Sequence, residues 1–307
     1  MIFDDYQGAN LVVGGKVVDN CLVCPFHLWR FDGTGKCTHI PYQDKIPQAA
    51  NTKSWVCVEA YGMIWVWYDA DGRPPAYEMP IIPGISDGKM AYRGRRDRVV
   101  KMHLQEFAEN SADFQHFGPL HGQMVLPFTN VVLPLLSVHH NASWHMDESQ
   151  PHVAYFINDA ELKFRGKVVP RSGLRAKITF FGPGGLIWFT FSVPHYGDII
   201  MFHLHTPLTP LKQQVSIVWF AEKQIPRPLV WYVVGSWVGN WLNDIDIWEN
   251  KIHQRKPVLV RGDGPIMQLR RWYRQFYSPS SVTRAQADEQ QQQQQKQQQC
   301  TVDVEDW

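Results

Sequence analysis

The sequence predicts an α+β protein in which antiparallel β structure is followed by one long helix. Short strand patterns separated by Gly-containing turns fill residues 1–92. Six more strand patterns follow between residues 153 and 222 without a helical pattern among them, which favours an antiparallel sheet. A helical pattern then begins at Pro228. We therefore expect a β domain followed by a second domain built from a sheet and a helix.

Composition indicates a folded protein without the features of a nucleic-acid-binding chain. The 307 residues are 44% hydrophobic and include 13 Trp, enough for one large core or two ordinary ones. A net charge of +1 argues against a nucleic-acid partner. Five Cys without a secretion signal favour a reducing compartment. No apolar run reaches the roughly 18 residues that a membrane-spanning helix requires.

A Cys-x-x-His loop at Cys24 and His27 is the first candidate site. A thiolate and an imidazole this close together can hold one edge of an iron–sulfur cluster, with Cys on one iron and His on the other. A zinc site made by Cys21, Cys24, Cys37 and His39 is an alternative. The spacing lacks the second Cys-x-x-Cys pair that would make the zinc interpretation strong.

The second candidate site lies between Glu109 and His121. Asn110, Asp113 and His116 stand three residues apart, so on a helix their side chains share one face. Gly118-Pro119 should end that helix, and the turn after it can bring His121 beside His116. Two imidazoles and a carboxylate from elsewhere form the ligand set of a non-haem Fe(II) oxygenase, which leaves positions open for O2.

Strand patterns then fill the middle of the chain. They run over Val153–Ile157, Glu161–Val168, Leu174–Phe181, Leu186–Val193, Ile199–Thr206 and Val215–Glu222. His203 and His205 alternate on one of these strands. Because half-buried strand histidines are common, we expect these two to lie outside the site.

The helix after Pro228 supplies the missing carboxylate. Trp237, Trp241, Asp244 and Trp248 follow a 4, 3, 4 spacing and therefore share one apolar face. A carboxylate on such a face needs a partner or a metal, which predicts Asp244 as the third ligand. Asp246 points to the other face, and we expect it to be solvated.

Four stretches together resemble a known family. They are Cys24–Trp29 with Gly35–Tyr42, Asn110–His121, Asp244–Lys251 and Gly262–Tyr277. They resemble the Rieske-type non-haem iron oxygenases, and in particular the cholesterol 7-desaturase group. The similarity covers nearly the whole chain apart from its tail. Where the family has its first cluster Cys and His, this chain has Asp4 and Tyr6. The Rieske domain is therefore expected to be incomplete, and a form truncated at the amino terminus is the expected explanation.

The resemblance implies three regions. Residues 1–92 would be the incomplete Rieske [2Fe-2S] domain, and residues 93–278 a helix-grip catalytic domain with a curved antiparallel sheet and a long carboxy-terminal helix. The Gln-rich tail, residues 279–307, should be disordered. A basic run stands where the first two regions meet, and we expect it to be a solvated link: Arg93, Arg95, Arg96, Arg98 and Lys101.

The resemblance also implies the cofactors and partners. Cys24 and His27 would bind the cluster, and His116, His121 and Asp244 the mononuclear Fe(II). The family's matching Asp bridges a cluster histidine and an iron histidine across a subunit interface, which is the role implied for Asp113, with Asn110 as its support. Electrons would come from NAD(P)H through a separate reductase, and the chains would form a homotrimer.

The activity implied is the O2-dependent 7,8-dehydrogenation of cholesterol to 7-dehydrocholesterol, a step of steroid hormone biosynthesis. Membrane association, at the endoplasmic reticulum, is implied by the resemblance alone. Asp4 and Tyr6 leave two alternatives open. The chain could be an inactive sterol-binding protein, or a regulatory subunit that accepts electrons from the clusters of intact copies.

Overall fold

The computed structural model describes residues 10–11, 13–290 and 292–293, which form two compact units divided between Pro80 and Ile81. The division comes earlier than the boundary expected after residue 92. The reason is that Met90–Val100, which contains most of the basic run, is a strand of the second unit's sheet. Asp4 and Tyr6 lie outside the described residues.

The first unit is built from short antiparallel strands, as the sequence predicts. The strands are β1 Lys16–Val18, β2 Cys21–Val23, β3 Arg30–Phe31, β4 Cys37–His39, β5 Cys57–Ala60 and β6 Met63–Val66. The first four form a sheet in the order β1-β2-β3-β4, while β5 pairs only with β6. A 3-10 turn spans Gln48–Ala50. The small apolar core contains Leu11, Cys24, Trp29, Phe31, Cys37, Ile40 and Ala50.

The second unit contains one antiparallel sheet of nine strands, which confirms the predicted sheet. The strands are β7 Met90–Val100, β8 Gln123–Val125, β9 Val132–Met146, β10 Val153–Phe164, β11 Lys167–Val168, β12 Leu174–Phe181, β13 Leu186–Val193, β14 Gly197–Thr209 and β15 Lys212–Glu222. Their order is β7-β15-β14-β13-β12-β10-β9-β8, and β11 pairs with β10 alone. The sequence predicts β12 and β13 with their observed bounds but divides β10 into two strands and omits β7, β8 and β9.

Three α-helices pack with this sheet around one apolar core. They are α1 Leu104–Asn110, α2 Arg227–Trp248 and α3 Ile266–Tyr273; a π-helical turn covers Phe117–His121, and a 3-10 turn covers Arg274–Phe276. The apolar face predicted for α2 is confirmed, because Trp241, Asp244 and Trp248 are buried whereas Asp246 is exposed. No described helix is both long and apolar enough to cross a membrane.

Part of the predicted disordered tail is helical. Residues 284–290 form helix, and Ala287 within it is 4% exposed. Residue 291 and residues 294–307, which carry much of the Gln run, lie outside the described residues.

The strand histidines His203 and His205 are fully buried rather than half-buried. His203 Nδ1 lies 2.8 Å from His205 Nε2. His203 stacks on Phe107 of α1 at a ring separation of 4.4 Å and meets Trp241 of α2 edge to face. Burial lowers the pKa of His203 well below its usual value and lowers that of His205 to about 3. Both imidazoles are therefore neutral parts of the core.

This burial should make the fold acid-sensitive. Because His205 titrates near 6.5 when unfolded and near 3 when folded, the unfolded chain binds more protons as the pH falls below about 6.5. We expect the titration of His205 alone to make the free energy of unfolding about 2 kcal/mol lower at pH 5 than at pH 7. Denaturant unfolding at both pH values should show a smaller loss in His205→Leu than in the wild type. His145→Leu, at an exposed position of β9, should keep the wild-type loss. Equal losses in all three proteins would contradict the prediction.

Candidate metal centre

Three side chains predicted as metal ligands converge in the second unit. One donor atom from each of His116, His121 and Asp244 lies within 4.8 Å of the others. Asp244 Oδ1 is 3.1 Å from His121 Nε2 and 4.0 Å from His116 Nε2. The three side chains are between 7% and 10% exposed. The sequence therefore identified a group whose members the fold brings together from two separate segments.

The local structure that joins the two histidines differs from the predicted one. α1 ends at Asn110, where the backbone of Ser111 caps it, so Asn110, Asp113 and His116 do not share a helix face. Gly118-Pro119 does not break a helix but lies within the π-helical turn. Since a π-helix repeats through i→i+5 bonds, residues five apart project to one side. This turn therefore places the rings of His116 and His121 5.0 Å apart.

His116 is held at both ring nitrogens. Its Nδ1–H donates to the backbone carbonyl of Asp113 at 2.5 Å, which leaves a lone pair on Nε2 that accepts from Asn110 Nδ2 at 3.1 Å; a cation bound at Nε2 would replace this second hydrogen bond. A carbonyl fixing the far nitrogen of an imidazole is the usual support of a metal-binding His. The Asp113 carboxylate is 4.0 Å from Nδ1 and 40% exposed, so the main chain of Asp113 orients this ring.

The electrostatics of the group fit a divalent cation. Burial and the neighbouring His121 lower the pKa of His116, against the opposing effect of Asp244, so a neutral imidazole is available as a ligand. Asp244 Oδ1 and His121 Nδ1 are buried and have no hydrogen-bond partner among the described residues. An unpaired buried carboxylate is costly, and a cation between the three donors would remove that cost. Two imidazoles and one carboxylate suit non-haem Fe(II).

The zinc alternative in the first unit finds no support. Within the described part of the chain, the three residues above are the only group of at least three potential ligands close enough to share an ion. Cys21 Sγ lies 3.6 Å from Thr38 Oγ1, and Cys37 Sγ donates to the carbonyl of His39. Burial raises the pKa of the Cys37 thiol, which disfavours the thiolate that zinc requires. Cys37 is a packing residue of the core.

The loop that carries Cys24 and His27 is a tight turn. Cys24 is 1% exposed, its N–H donates to the carbonyl of Trp29, and its carbonyl accepts from the N–H of Leu28. Leu28 adopts a left-handed conformation with φ of 61°, which closes the loop directly after His27. Phe26 and Leu28 are more than half exposed. Cys24 and His27 are thus presented from a closed loop, and their binding of a cluster stays a prediction.

Three residues that the sequence did not single out support the metal centre. His140 Nε2 donates to the carbonyl of His121 at 3.1 Å, and Asn158 Nδ2 donates to His140 Nδ1 at 2.9 Å. Asn243 Nδ2 donates to the carbonyl of Leu120 at 3.3 Å. Burial lowers the pKa of His140, so its imidazole is neutral. The position of Asn243 beside Asp244 was the one sequence signal that could have indicated such a role.

Two buried carboxylates of α1 anchor the chain that follows α2. Glu109 receives both Arg270 Nε and Nη2, at 2.7 and 2.6 Å. Glu106 pairs with Lys251 Nζ at 2.5 Å and His253 Nδ1 at 3.1 Å. Burial alone would raise the pKa of Glu106, but Lys251 and His253 hold it below its usual value. These pairs fix α1, whose last residue is Asn110, against the segment that follows α2.

Removing Arg270 should therefore destabilise the second unit. Both partners of the Arg270–Glu109 pair are about nine-tenths buried, and a buried charge left without its partner costs about 3–5 kcal/mol. We expect Arg270→Ala to lower the free energy of unfolding by about 3 kcal/mol, measured by denaturant titration. Arg271→Ala, at the exposed neighbouring position, should change it by less than about 0.5 kcal/mol. Similar free energies of unfolding for the two variants would show that the Arg270–Glu109 pair does not stabilise the fold.

Family models match both parts of the chain, and solved structures share its fold. Residues 6–53 match the Rieske [2Fe-2S] domain, and residues 66–277 match the 3-ketosteroid 9alpha-hydroxylase C-terminal domain. Among solved structures, NdmA of Pseudomonas putida CBB5 with caffeine superposes with a TM-score of 0.64 at 20% identity, over 89% of this chain and 76% of that one. Dicamba monooxygenase bound to dicamba gives a TM-score of 0.59 at 18% identity, over 89% and 84% of the two chains.

Curated relatives are more similar in sequence. The cholesterol 7-desaturase of Xenopus laevis is 34% identical over 90% of this chain and 62% of its own length. That of Caenorhabditis elegans is 34% identical over 89% and 66%. A probable 3-ketosteroid-9-alpha-monooxygenase, oxygenase component, of Rhodococcus rhodochrous is 30% identical over 89% and 68%. The chain thus spans about three fifths of the Xenopus protein.

Proposed function

Because the chain belongs to the Rieske-type oxygenases with a 3-ketosteroid 9alpha-hydroxylase C-terminal domain, we propose that it acts as a cholesterol 7-desaturase. The reaction would be the 7,8-dehydrogenation of cholesterol to 7-dehydrocholesterol in steroid hormone biosynthesis. The observation that carries this proposal is the buried group His116, His121 and Asp244, in a chain whose curated relatives include cholesterol 7-desaturases.

The reaction balances with O2 as the oxidant. One sterol, one O2, one NAD(P)H and one proton give one diene sterol, two water molecules and NAD(P)+. The four electrons that reduce O2 come equally from the two C–H bonds broken at C7 and C8 and from NAD(P)H. The sequence has no Gly-x-Gly-x-x-Gly motif, so a separate reductase is proposed to deliver the electrons of NAD(P)H.

The residues of the chain have distinct parts in this proposal. His116, His121 and Asp244 would hold Fe(II), and the iron when bound would supply the chemistry of O2 activation. Asn110 Nδ2 donates to His116 Nε2, and a cation bound at Nε2 would replace this hydrogen bond; Asn110 is proposed to support the group from this position. The carboxylate of Asp113 is 40% exposed and accepts from the Gln115 N–H with Oδ1 only, which suits the proposed bridge between a partner's cluster and His116 in a homotrimer. The aromatic ring of Phe117, whose centroid lies 4.4 Å from that of His116, helps to exclude water.

Cys24 and His27 are proposed to hold half of the [2Fe-2S] cluster. Asp4 and Tyr6 stand where a second Cys and His are expected, and this specific departure favours a second candidate function. In that case the chain would be a sterol-binding or regulatory subunit without a cluster of its own. For either function we propose a membrane-associated location, because sterols reside in membranes; an endoplasmic reticulum site rests on the family resemblance.

Turnover distinguishes the two candidates. The purified chain would be supplied with Fe(II), a Rieske reductase, NAD(P)H, O2 and cholesterol, and the sterols analysed by mass spectrometry for a product lacking two hydrogens. We expect 7-dehydrocholesterol from the wild type and none from His116→Ala. Product formed only after mixing with a cluster-bearing subunit of a relative, itself inactivated at its iron site, would select the second candidate. Product from His116→Ala alone would refute the assigned centre.

A further inference from the structure

The π-helical turn that carries His121 accepts hydrogen bonds from other elements at two consecutive carbonyl groups. The carbonyl of Leu120 accepts from Asn243 Nδ2 at 3.3 Å, and the carbonyl of His121 accepts from His140 Nε2 at 3.1 Å. Asn243 belongs to α2, where it precedes the ligand Asp244, and His140 belongs to β9. The turn is therefore held between the helix and the sheet rather than by its own short-range bonds alone.

His140 is itself locked in one tautomer. A carbonyl oxygen can only accept, so the bond to His121 requires the proton on Nε2. Nδ1 then carries a lone pair, which accepts from Asn158 Nδ2 at 2.9 Å. Asn158 is 8% exposed and lies on β10, which pairs with β9 over eleven residue pairs. The ring of His140 also packs on Phe117, the first residue of the turn, at 5.2 Å.

The two histidine ligands are thus held in different ways. The far nitrogen of His116 is fixed by the carbonyl of Asp113, whereas Nδ1 of His121 has no hydrogen-bond partner among the described residues. The direction of the His121 ring therefore depends on where its backbone lies. A hydrogen bond from a rigid strand to the carbonyl of this same residue is the contact best placed to set that backbone.

We propose that His140, oriented by Asn158, is a positioning residue that sets the geometry of the metal centre through the main chain of His121. This inference rests on the metal centre of the proposed function, but it concerns metal affinity and ligand symmetry rather than the substrate. His140 does not contact the metal position. Its imidazole acts as a donor at a fixed place, which a side chain without an N–H cannot replace.

The experiment compares metal binding in three variants of the full chain. His140→Leu removes the donor at similar volume, and His140→Gln keeps an N–H able to reach the same carbonyl. His139→Leu is the matched control, because His139 is the exposed neighbour on the opposite face of β9. Co(II) and Fe(II) dissociation constants would be measured anaerobically by competition with a chelator. The symmetry of the site would be read from the EPR spectrum of the Fe(II) nitrosyl adduct.

We expect His140→Leu to weaken metal binding at least about tenfold and to change the rhombicity of the EPR signal, since outer partners of metal ligands contribute about 10–100-fold. His140→Gln should recover most of the affinity, and His139→Leu should match the wild type. Wild-type affinity and spectrum in His140→Leu, or equal losses in His140→Gln and His140→Leu, would overturn the proposal. Failure of the wild type to bind either metal would instead refute the metal centre itself.

Discussion

Asp244→Asn is expected to lower the affinity of the chain for Fe(II) by more than about 100-fold, since removing a ligand should exceed the effect of removing a ligand's outer partner. The substitution keeps the shape of the side chain and removes its charge. Asp244 Oδ1 faces the Nε2 atoms of His121 and His116, so the lost charge is the one that would balance the cation. Turnover should fall with the metal.

The same change should have the opposite effect on the metal-free protein. Asp244 Oδ1 is buried and accepts no hydrogen bond among the described residues, and a buried carboxylate oxygen without a hydrogen bond destabilises the fold. We expect the metal-free Asp244→Asn variant to gain about 1 kcal/mol in free energy of unfolding, seen as a higher midpoint in denaturant or heat. A residue suited to binding a metal often lowers the stability of the metal-free fold in this way.

Asp246 provides the control for both measurements. It lies on the same helix two residues later and is exposed, so Asp246→Asn should change neither metal affinity nor stability appreciably. Retention of Fe(II) affinity in Asp244→Asn would remove Asp244 from the ligand set. A loss of stability in the metal-free variant would show instead that the carboxylate is satisfied within the protein, and the case for a cation at this position would weaken.

The convergence of the three candidate ligands could be predicted from the sequence because each leaves a local signal. Asp244 interrupts a helix face otherwise made of Trp237, Trp241 and Trp248, and a charge there demands an explanation. The pair His116 and His121 is close enough in sequence to meet in any compact turn. Which turn they use was predicted wrongly, because a π-helical repeat differs from an α-helical one by a single residue and leaves no mark in hydrophobic periodicity.

The parts that the sequence did not predict depend on contacts between distant segments. His140 reaches His121 only because β9 pairs with β10 in one register and passes beside the π-helical turn. Nothing within Val132–Met146 marks that register, and the strand itself was not predicted. The arginines of β7 predict a solvated link, whereas the structure places them on a strand of the sheet. Its position at one edge of the sheet lets Arg95 and Arg98 remain exposed while the backbone pairs with β15.

A second large effect is expected at the proposed cluster site of Cys24 and His27. Cys24→Ser should abolish the [2Fe-2S] cluster, because serine oxygen cannot replace the thiolate that binds one of its irons. Wild-type chain purified anaerobically should contain acid-labile sulfide, about two per chain, and give a Rieske EPR signal after dithionite reduction. In Cys24→Ser both should fall to background while the mononuclear iron stays.

Cys57→Ser is the control for Cys24→Ser, because it replaces a thiol of the same unit that is not a proposed cluster ligand. Cys57 lies in β5 of the same unit and is exposed, so its loss should leave sulfide and the EPR signal unchanged. His116→Ala should give the reverse of Cys24→Ser, losing one iron and keeping sulfide, because the two centres use separate ligands. A wild-type chain with one iron and no sulfide would contradict cluster binding at Cys24 and His27. That result would mean Asp4 and Tyr6 cannot complete the ligand set, and electrons would have to reach His116 from the cluster of another chain.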